Sequence, residues 1–364
     1  MSLSVGIVGL PNAGKSTLFN ALTRAGAAVG NYPFTTIEPN TGMVPVPDTR
    51  LDRLAELFHP PKVIPAMVTF TDIAGLVRGA SRGEGLGNKF LGHIRECDAI
   101  ALVVRDFEDT DITHVEGSVD PVRDIDVIEL ELQLADLETV TKRLEKVGKT
   151  VRLQKEKEQA TEAVAVLQRV RDHLDGGAPV RTMQLGADER ATLHDLWLLT
   201  ANPMVVVVNV AEGAAIAEPS AAVRGRAAQG GADVVVISAR IEAELAELEP
   251  ADRGAFLADL GIAEPGLDLL ARHAYGLLDL ITFFTAGEKE VRAWQLRRGL
   301  TALDAAATIH TDFAKGFIRA EVSDAEDLLA AGSYNALKEH GKQRLEGKDY
   351  VMRDGDVVHF RFNL

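Results

Sequence analysis

Residues 9–16, Gly9-Leu10-Pro11-Asn12-Ala13-Gly14-Lys15-Ser16, fit the pattern G-x-x-x-x-G-K-[ST] and lie between an apolar run at 5–8 and a helical pattern at 17–22. Few short motifs restrict a fold as much. The glycines let successive backbone N–H groups turn inward towards phosphate oxygens, and the following helix adds its positive N-terminal end. Lys15 is placed to reach β- and γ-phosphates, and the Ser16 hydroxyl to ligate Mg²⁺. Strand, loop and helix in that order require an α/β domain, and the rest of the chain agrees. Candidate strands at 5–8, 43–46, 67–71, 100–104, 204–208 and 234–237 alternate with helical stretches. Several are nearly continuous in apolar residues, as expected for strands covered on both faces of a doubly wound parallel sheet.

The alternation breaks between about 128 and 200. Leu137, Val140, Leu144, Val147 and Val151 repeat at 3, 4, 3, 4, and Ala160, Ala163, Leu167, Val170 and Leu174 show a second apolar seam. Two seams joined by a polar stretch predict an antiparallel helical hairpin inserted into the α/β domain, since strand-like sequence resumes at Met204. From Asp279 the order is strand 281–284, strand 291–296, helix 301–309, strand 317–322 and helix 325–330. A closing hairpin of 350–352 with 357–362 is then predicted around the turn pair Asp354-Gly355. The expected domains are therefore 1–128 with 201–278, an inserted hairpin at 129–200, and a small α+β module at 279–364.

Composition excludes some functions. The 364 residues carry a net charge of −15, which rules out a uniformly basic nucleic-acid coat while allowing a local basic patch. One such patch stands out: within 142–157, Lys142, Arg143, Lys146, Lys149, Arg152, Lys155 and Lys157 face only Glu145 and Glu156. No run reaches the ~18 apolar residues of a membrane span, and the N-terminus lacks a leader pattern. The single cysteine, Cys97, has apolar neighbours and reads as a small core residue in a reducing compartment, so a cytoplasmic protein is expected.

Further motifs extend the phosphate loop into a nucleotide site. Asp72-Ile73-Ala74-Gly75 follows a predicted strand 57 residues after Lys15 and matches D-x-x-G. Asp72 would hold Mg²⁺ through water, and the Gly75 N–H would sense the γ-phosphate. Upstream, Asn31-Tyr32-Pro33-Phe34-Thr35-Thr36 lies where a first switch offers a threonine to the metal; spacing does not choose between Thr35 and Thr36. After Gly75 comes Leu76, where many GTPases place a glutamine that orients water. Residues 83–87, Gly-Glu-Gly-Leu-Gly, read as part of a second switch. Asn12 could place a carbonyl oxygen where a monovalent cation bridges phosphates, or be an ordinary loop residue. After the strand at 204–208 stands Asn209-Val210-Ala211-Glu212, where guanine-binding proteins have N-K-x-D. The aspartate of that motif accepts from guanine N1–H and the 2-amino group. Glu212 is one methylene longer and the lysine is missing, so guanine selection weakens and ATP use is inferred. Ser238-Ala239 resembles the last loop of such a pocket.

Taken together, GLPNAGKST at 9–17, NYPFTT at 31–36, DIAGLVRGAS at 72–81, GEGLGNKF at 83–90 and NVAE at 209–212 resemble the YchF family of Obg-like ATPases, over essentially the whole chain. The resemblance implies a P-loop NTPase domain, a helical-hairpin insertion and a C-terminal TGS domain of β-grasp fold. It implies ATP-preferring hydrolysis to ADP and phosphate, association with the ribosome (large subunit or whole particle) and its RNA, and a cytoplasmic regulatory switch. A monomer is expected, although nothing in the sequence fixes the oligomeric state. Carried onto matching positions, Asn12, Ala13, Gly14, Lys15, Ser16 and Thr17 bind phosphates, and Ser16 and Thr36 ligate Mg²⁺ with Asp72 behind water. Asn209, Val210 and Glu212 surround adenine with Ser238 and Ala239, Val210 through its backbone. Asn12 is like the asparagine of potassium-dependent relatives, which makes K⁺ an expected activator. His114 matches a histidine proposed to assist hydrolysis; from position alone it reads as a solvated loop residue. Two positions depart from the pattern: Thr35 stands where relatives often have cysteine, and Arg240 where GTPases often have lysine. The competing readings are an Obg-type GTPase that tolerates Glu212, and a ribosome- or RNA-binding module with structural nucleotide and little turnover.

Overall fold

The computed structural model describes residues 3–27, 41–73, 86–109, 117–153, 157–215 and 218–363. Its strands in chain order are β1 (Ser4–Val8), β2 (Thr41–Pro45), β3 (Val63–Ile64), β4 (Met67–Asp72), β5 (Ala99–Asp106), β6 (Met204–Val210), β7 (Asp233–Ile237), β8 (Leu280–Ala286), β9 (Val291–Arg297), β10 (Phe317–Asp324), β11 (Arg344–Glu346) and β12 (Asp356–Phe362). The main helices up to β8 are α1 (Lys15–Ala27), α2 (Thr49–Phe58), α3 (Leu86–Arg95), α4 (Pro121–Leu153), α5 (Lys157–Asp175), α6 (Ala187–Leu193), α7 (Ala221–Gln229), α8 (Ala239–Glu247), α9 (Pro250–Asp259) and α10 (Gly266–Leu277). Two compact units result: residues 1–43 with 69–270, and residues 44–68 with 271–364.

The first unit holds a six-stranded sheet in the order β2-β4-β1-β5-β6-β7. β1 is parallel to β4 and β5, and β6 is parallel to β5 and β7. Every residue of β6, Met-Val-Val-Val-Val-Asn-Val, is buried, as are the first seven of β5. Central strands enclosed by helices need that near-continuous apolar run. The first turns of α4 join this core through Ile125, Ile128, Leu132 and Ala135. Further along, Val140 of α4 meets Leu167, Val170 and Leu174 of α5, with Leu137, Leu144 and Val147 alongside. These are residues of the predicted seams. Asp136 anchors this stretch: its carboxylate accepts from the Leu199 and Thr200 amides, both at 2.8 Å, and from the Thr200 hydroxyl at 2.6 Å.

In the second unit the sheet order is β11-β10-β12-β8-β9-β3. β12 is antiparallel to β10 and parallel to β8, while β8 and β9 form a hairpin. First and last long strands lying side by side and parallel give the β-grasp arrangement. The predicted closing hairpin is thus corrected. Both edges of 357–362 are occupied, by β8 and β10, and residues 350–352 bond elsewhere: the Met352 amide donates to Leu300 O (3.0 Å) and the Ala302 amide to Tyr350 O (2.8 Å). The Asp354-Gly355 pair still turns the chain, with Gly355 at φ 90°. It is tied to β8, because Asp354 accepts from the Thr282 amide and the Gly355 amide donates to Thr282 O, each at 2.8 Å. Asp354 also pairs with Arg50 of α2 at 2.7 Å, and the Arg50 guanidinium lies 5.3 Å from the Phe284 ring centroid. Residues 44–68 therefore pack with the C-terminal chain, although their position in sequence grouped them with the phosphate loop.

One buried carboxylate gives this fold a pH dependence. Glu242 of α8 accepts from the Gly266 amide at the start of α10 (2.7 Å). Burial pushes its carboxyl up to about 7, the Gly266 and Leu267 amides pull it down, and Asp268 pushes it up. The folded state then binds this proton more tightly than the unfolded chain, so stability is lost as pH rises from about 4.5 to about 7, by up to about 3 kcal/mol. Glu242→Gln should flatten that part of the pH profile in urea melts between pH 5 and 8. Asp136, which burial also raises, to about 6, is common to both proteins and cancels in the comparison. Superimposable profiles would show that Glu242 keeps an ordinary carboxyl pKa.

Candidate functional site

The phosphate loop bridges β1 and α1, and its conformation depends on residue types that the motif specifies. Asn12 adopts φ 64°, a left-handed conformation that asparagine tolerates better than most side chains, and Gly14 adopts φ 92°. A Cβ on Gly14 would lie 2.1 Å from Asn209 Nδ2, so the loop can approach β6 only with glycine there. Lys15, the first residue of α1, is 7% exposed and donates to Leu10 O at 2.7 Å. Burial lowers its ammonium to about 8, with the Asp72 carboxylate pulling it back up. Asp72, at the end of β4, is raised by burial and drawn down by Lys15. The two charges stabilise one another across the loop.

A cavity of about 690 Å³ opens beside this pair. One end is lined by Asn12 and residues 14–17; the other by residues 209–213, 238–240 and 107–109. Asn209 joins the ends: its Nδ2 donates to Ala13 O and its Oδ1 accepts from the Ala239 amide, both at 3.0 Å. Sequence reading placed Asn209 around the base; its side chain here is a bridge between two loops, and the Ala239 amide is taken up by it. Ser238 lines the same end, and its buried hydroxyl has no partner among the described residues. Glu212 meets Arg240, whose Nε lies 2.5 Å from Glu212 Oε1, with Glu244 at 3.6 Å on the other side. Val210 is buried and lines the cavity.

The structure thus brings together Asn12, Ala13, Gly14, Lys15, Ser16, Thr17, Asp72, Asn209, Val210, Glu212, Ser238 and Ala239. Thr36, Gly75, Leu76 and His114 lie outside the described residues, as do residues 31–36 and 79–85. Sequence reading missed the lining residues 107–109 and Arg105, which donates to Phe107 O. The signal was an arginine near the end of an otherwise apolar strand.

Comparison with known proteins decides the family. A family model described as 50S ribosome-binding GTPase matches residues 4–132, and the YchF-GTPase_C model, described as a protein of unknown function, matches residues 280–363. Proteins named ribosome-binding ATPase YchF from Bacillus subtilis and Haemophilus influenzae are 53% and 52% identical to this chain, each comparison covering 100% of both chains. The chain belongs to the YchF family. A solved YchF structure from Schizosaccharomyces pombe, named a GTPase, superimposes with a TM-score of 0.89 at 38% identity, covering 99% of this chain and 98% of that one. The YchF relatives therefore share the complete architecture, while their names divide over the nucleotide.

Proposed function

We propose that this YchF-family chain is a Mg²⁺-dependent, ATP-preferring P-loop NTPase that binds the ribosome and acts as a translation-associated switch. The observation that carries the choice of base is the 209–212 element: valine replaces the lysine of N-K-x-D, and the longer Glu212 replaces its aspartate. The relatives from Bacillus subtilis and Haemophilus influenzae, named ribosome-binding ATPases, support the same reading.

The oxygen donors at the loop suit a hard divalent ion. The Ser16 hydroxyl lines the cavity, and the partly buried Asp72 carboxylate gains from a nearby cation. Ser16 and Thr36 would hold Mg²⁺ directly and Asp72 through water; the ion would offset charge developing on the transferred phosphoryl group. Lys15 neutralises β- and γ-phosphate oxygens, the loop amides orient them, and water attacks in line. Gly75 senses the γ-phosphate, and His114 handles a proton where Leu76 replaces glutamine. Asn12, exposed at the cavity, would share a K⁺ ion with the phosphates. The chain works as a cytoplasmic monomer, with residues 129–200 an arm and 279–364 a TGS module. The basic run at 142–157 supplies phosphate contacts to ribosomal RNA.

The GTPase reading draws on the name of the yeast structure and the N-terminal family model. Calorimetry with non-hydrolysable ATP and GTP analogues separates the two: tighter binding of the ATP analogue is expected, and preference for the GTP analogue would reverse the assignment. In the same preparation, reversing Lys146, Lys149 and Arg152 to glutamate should weaken ribosome co-sedimentation and its salt dependence. Unchanged sedimentation would remove the arm from the contact.

A further inference from the structure

Arg105 is 1% exposed and heads the fully buried side chains of the described residues by volume. A guanidinium carries a large desolvation penalty in such a place, and an aliphatic residue would continue the apolar run of β5 without it. Its contacts lead towards the cavity. Nε donates to Phe107 O at 2.9 Å, Nη2 reaches Asp109 O at 3.5 Å, and the guanidinium carbon lies 4.5 Å from the Phe107 ring centroid. The register places this group well: Arg105 is opposite Asn209 and Asp106 opposite Val210 in the β5–β6 pairing. Phe107 thus follows directly on β5 beside the end of β6, and with Glu108 and Asp109 it lines the same cavity as residues 209–213.

We propose that Arg105 is a positioning residue for the nucleotide base: it holds Phe107 as an apolar wall of the base pocket, and so sets affinity and base preference without touching the nucleotide. The inference rests on the nucleotide reading above and adds to it the part that selects a flat aromatic ligand. A planar cation suits the task because one face covers the ring while its edge donates to two carbonyls. Lysine offers the charge without the plane, and glutamine a donor without the charge.

The test measures dissociation constants for fluorescent ADP and GDP derivatives, together with melting temperature, KM and kcat. The proteins are wild type, Arg105→Lys, Arg105→Gln, Phe107→Ala and the double variant Arg105→Lys/Phe107→Ala. Each single variant should weaken ADP binding by about tenfold and raise KM for ATP in parallel, with kcat changing far less. The double variant should bind no worse than the weaker single one, because both remove the same wall. Unchanged dissociation constants with a lowered melting temperature would reduce Arg105 to a structural residue, and losses that multiply in the double variant would separate it from Phe107. Two substitutions at 105 keep the result readable if one fails to fold. Tighter binding of GDP than ADP by wild type would overturn the ATP reading alone, since Arg105 would then be judged on GDP.

Discussion

Turnover should fall by at least about a thousandfold in Lys15→Ala, measured as phosphate release at saturating nucleotide, while the melting temperature stays within a few degrees of wild type. The two halves of that expectation have different origins. Lys15 is held at the cavity by a bond to Leu10 O and by the field of Asp72, so its ammonium is aimed before any phosphate arrives. Charge developing on the transferred group meets a fixed counter-charge in a partly desolvated site, where it is worth far more than in water. Stability is another matter. Burial has already pushed the ammonium down to about 8, so the folded chain bears a cost for keeping it charged. Alanine removes that cost together with the favourable pairing to Asp72, and the two changes oppose each other. Lys15→Met, closer in volume, should behave like alanine in turnover. Phosphate release within tenfold of wild type in either variant would mean that another group supplies the charge, and the assignment of the cavity would have to be rebuilt.

How far the sequence reveals this molecule varies with the range of the interaction concerned. The phosphate loop is legible because its requirements are local: a glycine where φ is positive, a lysine at the first helical turn, a strand before it. The buried strands β5 and β6 are legible for a similar reason, since enclosure on both faces leaves an unbroken apolar run. Hairpin seams emerge from spacing alone. What escapes is whatever depends on pairing between distant segments. Residues 350–352 and 357–362 look like a hairpin because a good turn separates them, yet β12 is taken by β8 and β10, and no local signal announces competition for a strand edge. The same holds for α2, drawn to the C-terminal unit by Arg50, whose partner Asp354 lies 304 residues away. At the site, the motif points to Asn209 but not to its two bonds, because Ala13 and Ala239 come beside it only in the folded sheet. Arg105 fell just beyond the predicted strand 100–104, and its place became readable only with β5 extending to Asp106 and the Phe107 ring beside its guanidinium.

Asn209 is where that bridge can be broken. Asn209→Leu leaves the buried Ala239 amide and Ala13 carbonyl without their side-chain partner, at about 1–3 kcal/mol for each group, so the melting temperature should drop by several degrees. Nucleotide affinity should fall further, by at least about a hundredfold, because the phosphate loop and the 238–240 loop lose their common reference and a misplacement near 1 Å is already that costly. Asn209→Asp discriminates between a bridge and a simple base contact. Its carboxylate still accepts from Ala239, but opposes Ala13 O and adds negative charge beside the phosphate loop. It should therefore keep more of the stability than leucine and no more of the binding. Gly14→Ala attacks the same bridge from the other side, since its Cβ would stand 2.1 Å from Asn209 Nδ2 on a backbone at φ 92°. Calorimetric affinities and melting temperatures for the three variants should fall together for Asn209→Leu and Gly14→Ala. If Asn209→Leu melts like wild type and loses only its preference among bases, the residue reads the base directly and the two loops are held in register by something else.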